Sequence, residues 1–516
     1  MENLDAAASA AAEPATTVVI EELPPRASPS QAVSLLVNAA VGAGVLSLPF
    51  AFRCAGYIGG PLILASVAII ESFTLYVLSK WAEKTNAASY GEVVLRSAGP
   101  AAATALCVTI FFYLFGSGVA YLVILGDCFH PLISRVLGAT WYTTRKAAII
   151  SIGTAVVLPM CFAESLSAAA SISGVNFVAF LLVVVAIIGR SAETLAAADE
   201  RRFVGVKAFA PTWVAAVPIA VFGLQCHAQV VAVFNELREY STVTGTNDNG
   251  EVIGEEGGED EHEKQIESRS SLLARIRIED SLLIWRSPSR KKRKSFKLVA
   301  MTKIIITAIT ITAAGYALVG LPAYLAYPTS VESNIFNTFP HDDPLIQIVR
   351  AIVGVIEIAS FPVNHLPARQ AVKDAFFTAT GIQLGGKAFI ITETLVFYIG
   401  TLILALVVND LGRVFSLTGG VCGSAIILGM PGLLLVQYAW KKQDESTDSR
   451  QLTSFPILSP LLEEGGEEEQ EGRQDAPRNG NAKYNVWTSK FFWSGVVLIV
   501  ACATLIGYTI AATVFF

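Results

Sequence analysis

Two apolar stretches of this chain hold the groups that bind small ions and zwitterions without any catalytic side chain. In "VNAAVGAGVLSLPF" (37–50) an asparagine, two glycines and a proline interrupt a run of aliphatic residues. Gly42 and Gly44 let a helix open there without side-chain clash. The freed amides start the following half-helix, whose dipole favours an anion such as a carboxylate. Carbonyls closing the preceding half-helix can hold a cation. The same glycines also suit a small-residue face for close helix packing, and the motif alone leaves both readings open. The second stretch is "VPIAVFGLQCHAQVVAVFNEL" (217–237), with Gly223, Gln225, Cys226 and His227 near its middle. Ionisable groups inside apolar runs mark function or a buried network. Three stand out: Glu71, His227 and Glu357. Glu71 reads as a buried structural group, and His227 fits a satisfied bundle residue as well as a proton-linked one. Glu357 lies three residues before Ser360, hence on the same helical face.

Such groups need elements that hold them away from water. The 516 residues are 53% hydrophobic and 16% charged, against about 25% charged in soluble domains. Apolar runs recur near 31–55, 60–81, 100–127, 146–162, 166–189, 211–235, 298–327, 344–366, 388–408, 412–440 and 491–516. Each is near the roughly 20 residues that cross a bilayer, so the chain reads as an all-α membrane protein of about eleven transmembrane helices. In lipid an unpaired backbone group costs several kcal/mol unless it lines a cavity. Breaks in the first and sixth runs therefore point to a binding site. If the first ten helices divide five and five, those two runs correspond, as the halves of an inverted repeat require.

Basic residues near helix ends favour the cytosolic side. "RSPSRKKRKSFK" (286–297), "ARQAVKD" after the eighth run and "KK" (441–442) after the tenth place the N-terminus inside and the C-terminus outside. Arg201 and Arg202 fall on the opposite side and count against that orientation. The basic run at 286–297 reads as a topology signal, with anionic lipid contact as the sharper alternative. Residues 1–29 read as a disordered cytosolic tail ahead of a transport domain at 30–516. Insertions at 238–297 and 441–487 lack apolar periodicity and read as disordered and cytosolic. Within the first, 270–285 could form an amphipathic surface helix. The seven cysteines have no CxxC pair and serve as small apolar residues. No metal-spaced His/Cys cluster, nucleotide loop or nucleophile motif supports an enzyme. No nucleic-acid partner is indicated, and helix breaks suit a binding site better than a channel filter.

"SLLVNAAVGAGVLSLPFAFRCAG" (34–56) resembles the first helix of the amino acid/auxin permease family, and "FGSGVAYLVILGD" (115–127) its third. "VPIAVFGLQCHAQVVAVFNELRE" (217–239) resembles the sixth helix of the sodium-coupled neutral amino acid transporter branch. "VRAIVGVIEIASFPVNHLPAR" (349–369) and "LGRVFSLTGGVCGSAIILGMPGLLLVQY" (411–438) resemble the eighth and tenth. The resemblance implies a leucine-transporter-type 5+5 inverted repeat with broken helices 1 and 6, working by alternating access. It implies that Val41, Gly42, Ala43 and Gly44 contact a substrate carboxylate, and that Phe222, Gly223 and Cys226 receive its amino group and side chain. A sodium ion would lie on Asn38, the Val41 carbonyl and Ser360, where the family usually has threonine. Glu357 and His227 are the candidate coupling groups. The expectation is a secondary active symporter of neutral amino acids, functional as a monomer in the lipid bilayer, with sodium as coupling ion and no other cofactor. Proton coupling is the alternative, as is an amino-acid sensor signalling through the cytosolic segments. The sequence leaves the plasma membrane and a vacuolar or lysosomal-type endomembrane both open.

Overall fold

The computed structural model describes residues 28–162, 169–197, 205–237, 290–408, 410–453, 486 and 489–515. The N-terminal tail to residue 27, Arg201, Arg202, the amphipathic segment 270–285 and most of both insertions lie outside the described residues. The chain enters its first helix through a reciprocal cap. Ser28 Oγ accepts from the Gln31 amide at 3.3 Å, and Gln31 Oε1 accepts from the Ser28 amide at 2.9 Å. Pro29 then starts α1 (Pro29–Ala40). The helix stops at Val41, passes through a tight turn (Ala43–Ser47) and resumes as α2 (Leu48–Ala55), bent by 51°.

The second span is α3 (Gly59–Thr85); a short α4 (Tyr90–Ala98) precedes the third, α5 (Pro100–Leu137). The fifth lies within α8 (Ala169–Ala196), and the sixth divides into α9 (Ala216–Leu224) and α10 (His227–Glu236). The seventh and eighth are α11 (Arg290–Ala326) and α12 (Pro344–Thr380). Asp343 caps α12 by accepting from the Leu345 and Ile346 amides, and Gly381 ends it at φ 75°, where a side chain would be strained. The ninth is α13 (Lys387–Val407). The tenth starts as α14 (Leu411–Leu417), widens into two π-helical stretches (Thr418–Gly423, Ala425–Gly429) and continues as α15 (Met430–Thr453). The last is α16 (Lys490–Phe515). Because α11 begins at Arg290 and α15 runs to Thr453, helices extend into the edges of both insertions.

Among the described residues nine helices are long and apolar enough to cross a membrane, and the bent first pair makes ten. The fourth expected run instead forms α6 (Arg145–Ile152), a π-turn (Gly153–Val157) and α7 (Leu158–Met160). The helical turns run without a break from Arg145 to Met160 with the π-turn inside them, and residues 163–168 beyond lie outside the described residues. The sixth span is the most enclosed, with 78% of its apolar window buried inside the protein against 28% for α13. That contrast places the broken sixth span at the centre and α13 at the lipid surface.

Candidate functional site

The two helix breaks lie against each other. Val41 is extended (φ −74°, ψ 106°) and so is Gly42 (φ −147°, ψ −157°). In the sixth span Gln225 is extended, and Cys226 precedes α10 at φ −137°, ψ 16°. The breaks meet at glycine. A Cβ built on Gly44 would lie 2.8 Å from Gly223 Cα, and one on Gly223 would lie 3.1 Å from the Tyr316 ring. Gly42, in contrast, has nothing within 4 Å of such a Cβ. Of the two readings of "GAG", Gly44 is thus the packing glycine and Gly42 the one that borders open space.

That space is a cavity of about 350 Å³ between the breaks, the middle of α5, α8 and α12. Asn38, Val41, Gly42, Ala43, Gly44, Phe222, Gly223, Glu357 and Ser360 all line it. Asn38 Oδ1 is buried without a hydrogen-bond partner. An unpaired buried acceptor in a cavity also lined by Ser360 and Val41 offers neutral oxygen of the kind a hard cation takes readily. Glu357, 6% exposed, adds a carboxylate to the same wall. It falls on the stripe Val353, Ile356, Glu357, Ser360, Val363, Asn364 of α12, at the spacing of one helical face.

Cys226 and His227, expected near the ligand, are not among the cavity residues. The first turn of α10 needs a partner for its free amides, and Glu71 of α3 supplies one. The Cys226 amide donates to Glu71 Oε1 at 3.3 Å, which turns this peptide and its thiol toward α3. His227 Nδ1 lies 3.1 Å from the same oxygen, off the hydrogen-bond direction, and its Nε2 is 2.9 Å from Thr74 Oγ1. Glu71, Thr74 and His227 have no exposed surface. Gln225 occupies the cavity position instead.

Two tyrosines complete the site. The Tyr316 hydroxyl is 2.9 Å from both the Ala40 and the Gly223 carbonyl oxygens, which lie in the last turns of the two half-helices. Tyr113 donates to the Phe222 carbonyl at 3.2 Å, and the Phe222 ring stacks on Phe415 of α14 at 4.3 Å. Neither tyrosine belongs to a motif; the available signal was a phenol in an apolar run, which needs a polar partner.

The cavity opens at the end of the bundle where α1 begins, through the exposed Leu35, Ala228 and Gln229. Its other end is sealed. The segment 327–343, between α11 and α12, lies over α2: Ser47 Oγ donates to the Ser333 carbonyl and Arg53 Nη1 to that of Val331 at 2.7 Å. Asn334 Nδ2 donates to Asp127 Oδ2 at 2.8 Å, while Arg145 Nε holds Asp127 Oδ1 at 2.5 Å. Arg350, fully buried, donates to the Phe336 carbonyl at 2.6 Å and so fixes the same segment from α12.

The chain matches the family model described as "Transmembrane amino acid transporter protein" over residues 25–246 and 288–459. It is 25% identical over 426 residues to sodium-coupled neutral amino acid transporter 7 of Xenopus laevis, covering 79% of this chain and 80% of the relative. The counterpart of that name in Danio rerio is 26% identical over 437 residues, covering 81% and 80%. Putative sodium-coupled neutral amino acid transporter 11 of Mus musculus is 21% identical over 445 residues, covering 85% and 84%. Among solved structures, MhsT in complex with L-phenylalanine aligns with a TM-score of 0.48 at 12% identity, over 92% of this chain and 98% of that one.

Proposed function

The chain belongs to the transmembrane amino acid transporter family, as a multi-pass membrane protein that carries amino acids, and we propose that it works as a sodium-coupled symporter of neutral amino acids by alternating access. The observation that carries this reading is the cavity where the two helix breaks converge, with Asn38 Oδ1 unpaired in its wall. The amides that begin the Ala43–Ser47 turn receive the substrate carboxylate, favoured by the half-helix dipole. The Ala40 and Gly223 carbonyls face the amino group in exchange with Tyr316. Sodium travels as a second cargo on Asn38, the Val41 carbonyl and Ser360, and its charge favours the bent form of the first span. With the N-terminus in the cytosol, the cavity faces inward and the seal over α2 closes the opposite side. The protein functions as a monomer.

Uptake of labelled alanine, leucine and glutamine into proteoliposomes containing this chain alone, in sodium or in choline, tests the reading. Accumulation that needs sodium supports it. Glu357 in the cavity wall favours a second reading, proton coupling, which uptake in choline driven by an imposed proton gradient would support instead. Binding without uptake would identify a sensor.

A further inference from the structure

The wall of the cavity is electrically lopsided. Glu357 is its one carboxylate, and no lysine, arginine or histidine lines it among the described residues. The remaining polar lining is neutral, including the amides of Asn38, Gln225 and Gln229. The basic groups nearest in the chain are engaged elsewhere: Arg350, two turns earlier in α12, on the Phe336 carbonyl, His365 on Glu393, and Arg369 on Glu393 and the Cys161 carbonyl. Glu357 itself forms no hydrogen bond or ion pair with the described residues. A carboxylate in such surroundings is costly when ionised and is stabilised strongly by one positive charge.

A neutral amino acid is a zwitterion and brings no net charge, so it compensates Glu357 only together with an inorganic cation. An amino acid with a basic side chain carries that charge itself. An acidic one would double the deficit. Building on the transport reading, we propose that Glu357 is a cation slot filled once per cycle, either by sodium accompanying a neutral amino acid or by the side-chain ammonium or guanidinium of a basic amino acid, which then needs no sodium. The open cavity end gives a long side chain room, and the Glu357 stripe of α12 runs along the same wall as Asn38 and Gly42. Basic amino acids are thereby a second substrate class, distinguished from the first by their independence of sodium. Acidic amino acids are excluded.

The experiment measures uptake of labelled lysine, and of the neutral panel above, in sodium and in choline, together with the melting temperature of the purified protein with each added. Lysine should enter equally in sodium and choline, inhibit neutral uptake, and raise the melting temperature in choline. Glu357→Gln should raise the lysine concentration needed for half-maximal uptake and for a given melting shift about tenfold or more, as loss of a charged partner does, and Glu357→Asp should raise both less. The wild-type comparison does not depend on either variant folding. If no neutral amino acid is carried, the transport reading itself fails. If neutral amino acids are carried but lysine neither enters nor competes, or enters only with sodium, or enters Glu357→Gln as well as wild type, the cation slot is overturned while the transport reading stands.

Discussion

Replacing Gly44 with alanine separates packing from ligand approach at the first break. The added Cβ would stand 2.8 Å from Gly223 Cα, a backbone atom that no rotamer change can move aside. Overpacking of this sort costs about 1–3 kcal/mol, equivalent to about 5- to 150-fold in an equilibrium. The same methyl at Gly42 meets nothing within 4 Å, and the extended backbone there suits any residue. Gly44→Ala is therefore expected to lower the melting temperature of the detergent-purified protein and to depopulate the form in which the breaks touch, with uptake falling in proportion. Gly42→Ala should keep the wild-type melting temperature and raise KM by narrowing the cavity. Thermal unfolding and proteoliposome uptake on the same preparations read both quantities. A Gly44→Ala protein as stable and active as wild type would refute the packing argument, as would a Gly42→Ala protein that unfolds first.

Tyr316→Phe removes one hydroxyl between the Ala40 and Gly223 carbonyls; it should destabilise the protein by about 1–3 kcal/mol, whereas an unchanged melting temperature would count against the bridge. Asn38→Ala should raise the sodium concentration for half-maximal uptake with the maximal rate retained, and an unaltered sodium curve would remove Asn38 from the ion site. Asn334→Ala, which deprives Asp127 of a neutral donor, should make a cysteine introduced at Ser47 more reactive toward a membrane-impermeant thiol reagent, a change that an unsealed segment would not show. Glu332, in the sealing segment, has its carboxyl raised above the ordinary glutamate range by burial and by Asp127 and Asp410. Its raised value makes the folded segment hold the proton better than the unfolded chain. Its contribution is present below the ordinary range and lost as pH rises through the raised value, so melting temperature should fall across that window less in Glu332→Gln than in wild type.

The breaks themselves could be read from local chemistry, because glycine, asparagine and proline in an apolar run leave few structural alternatives. Asn38 and Ser360 came only through the family resemblance, and both line the cavity. What escaped depends on partners far along the chain. Gly44 lines the cavity as read, but its close packing on Gly223, far along the chain, could not be seen. Cys226 read as a ligand group because nothing near it in sequence shows that Glu71 binds its amide.

The Glu71 contact also gives the cavity a direction. Two half-helices begin at the breaks, and each could attract an anion by its positive end. At α10 the protein's own carboxylate already occupies that end, buried and out of reach of the cavity. Only the entry to α2 is left unneutralised. A zwitterion therefore meets two chemically unequal poles and has its head distinguished from its tail before any side chain is tested.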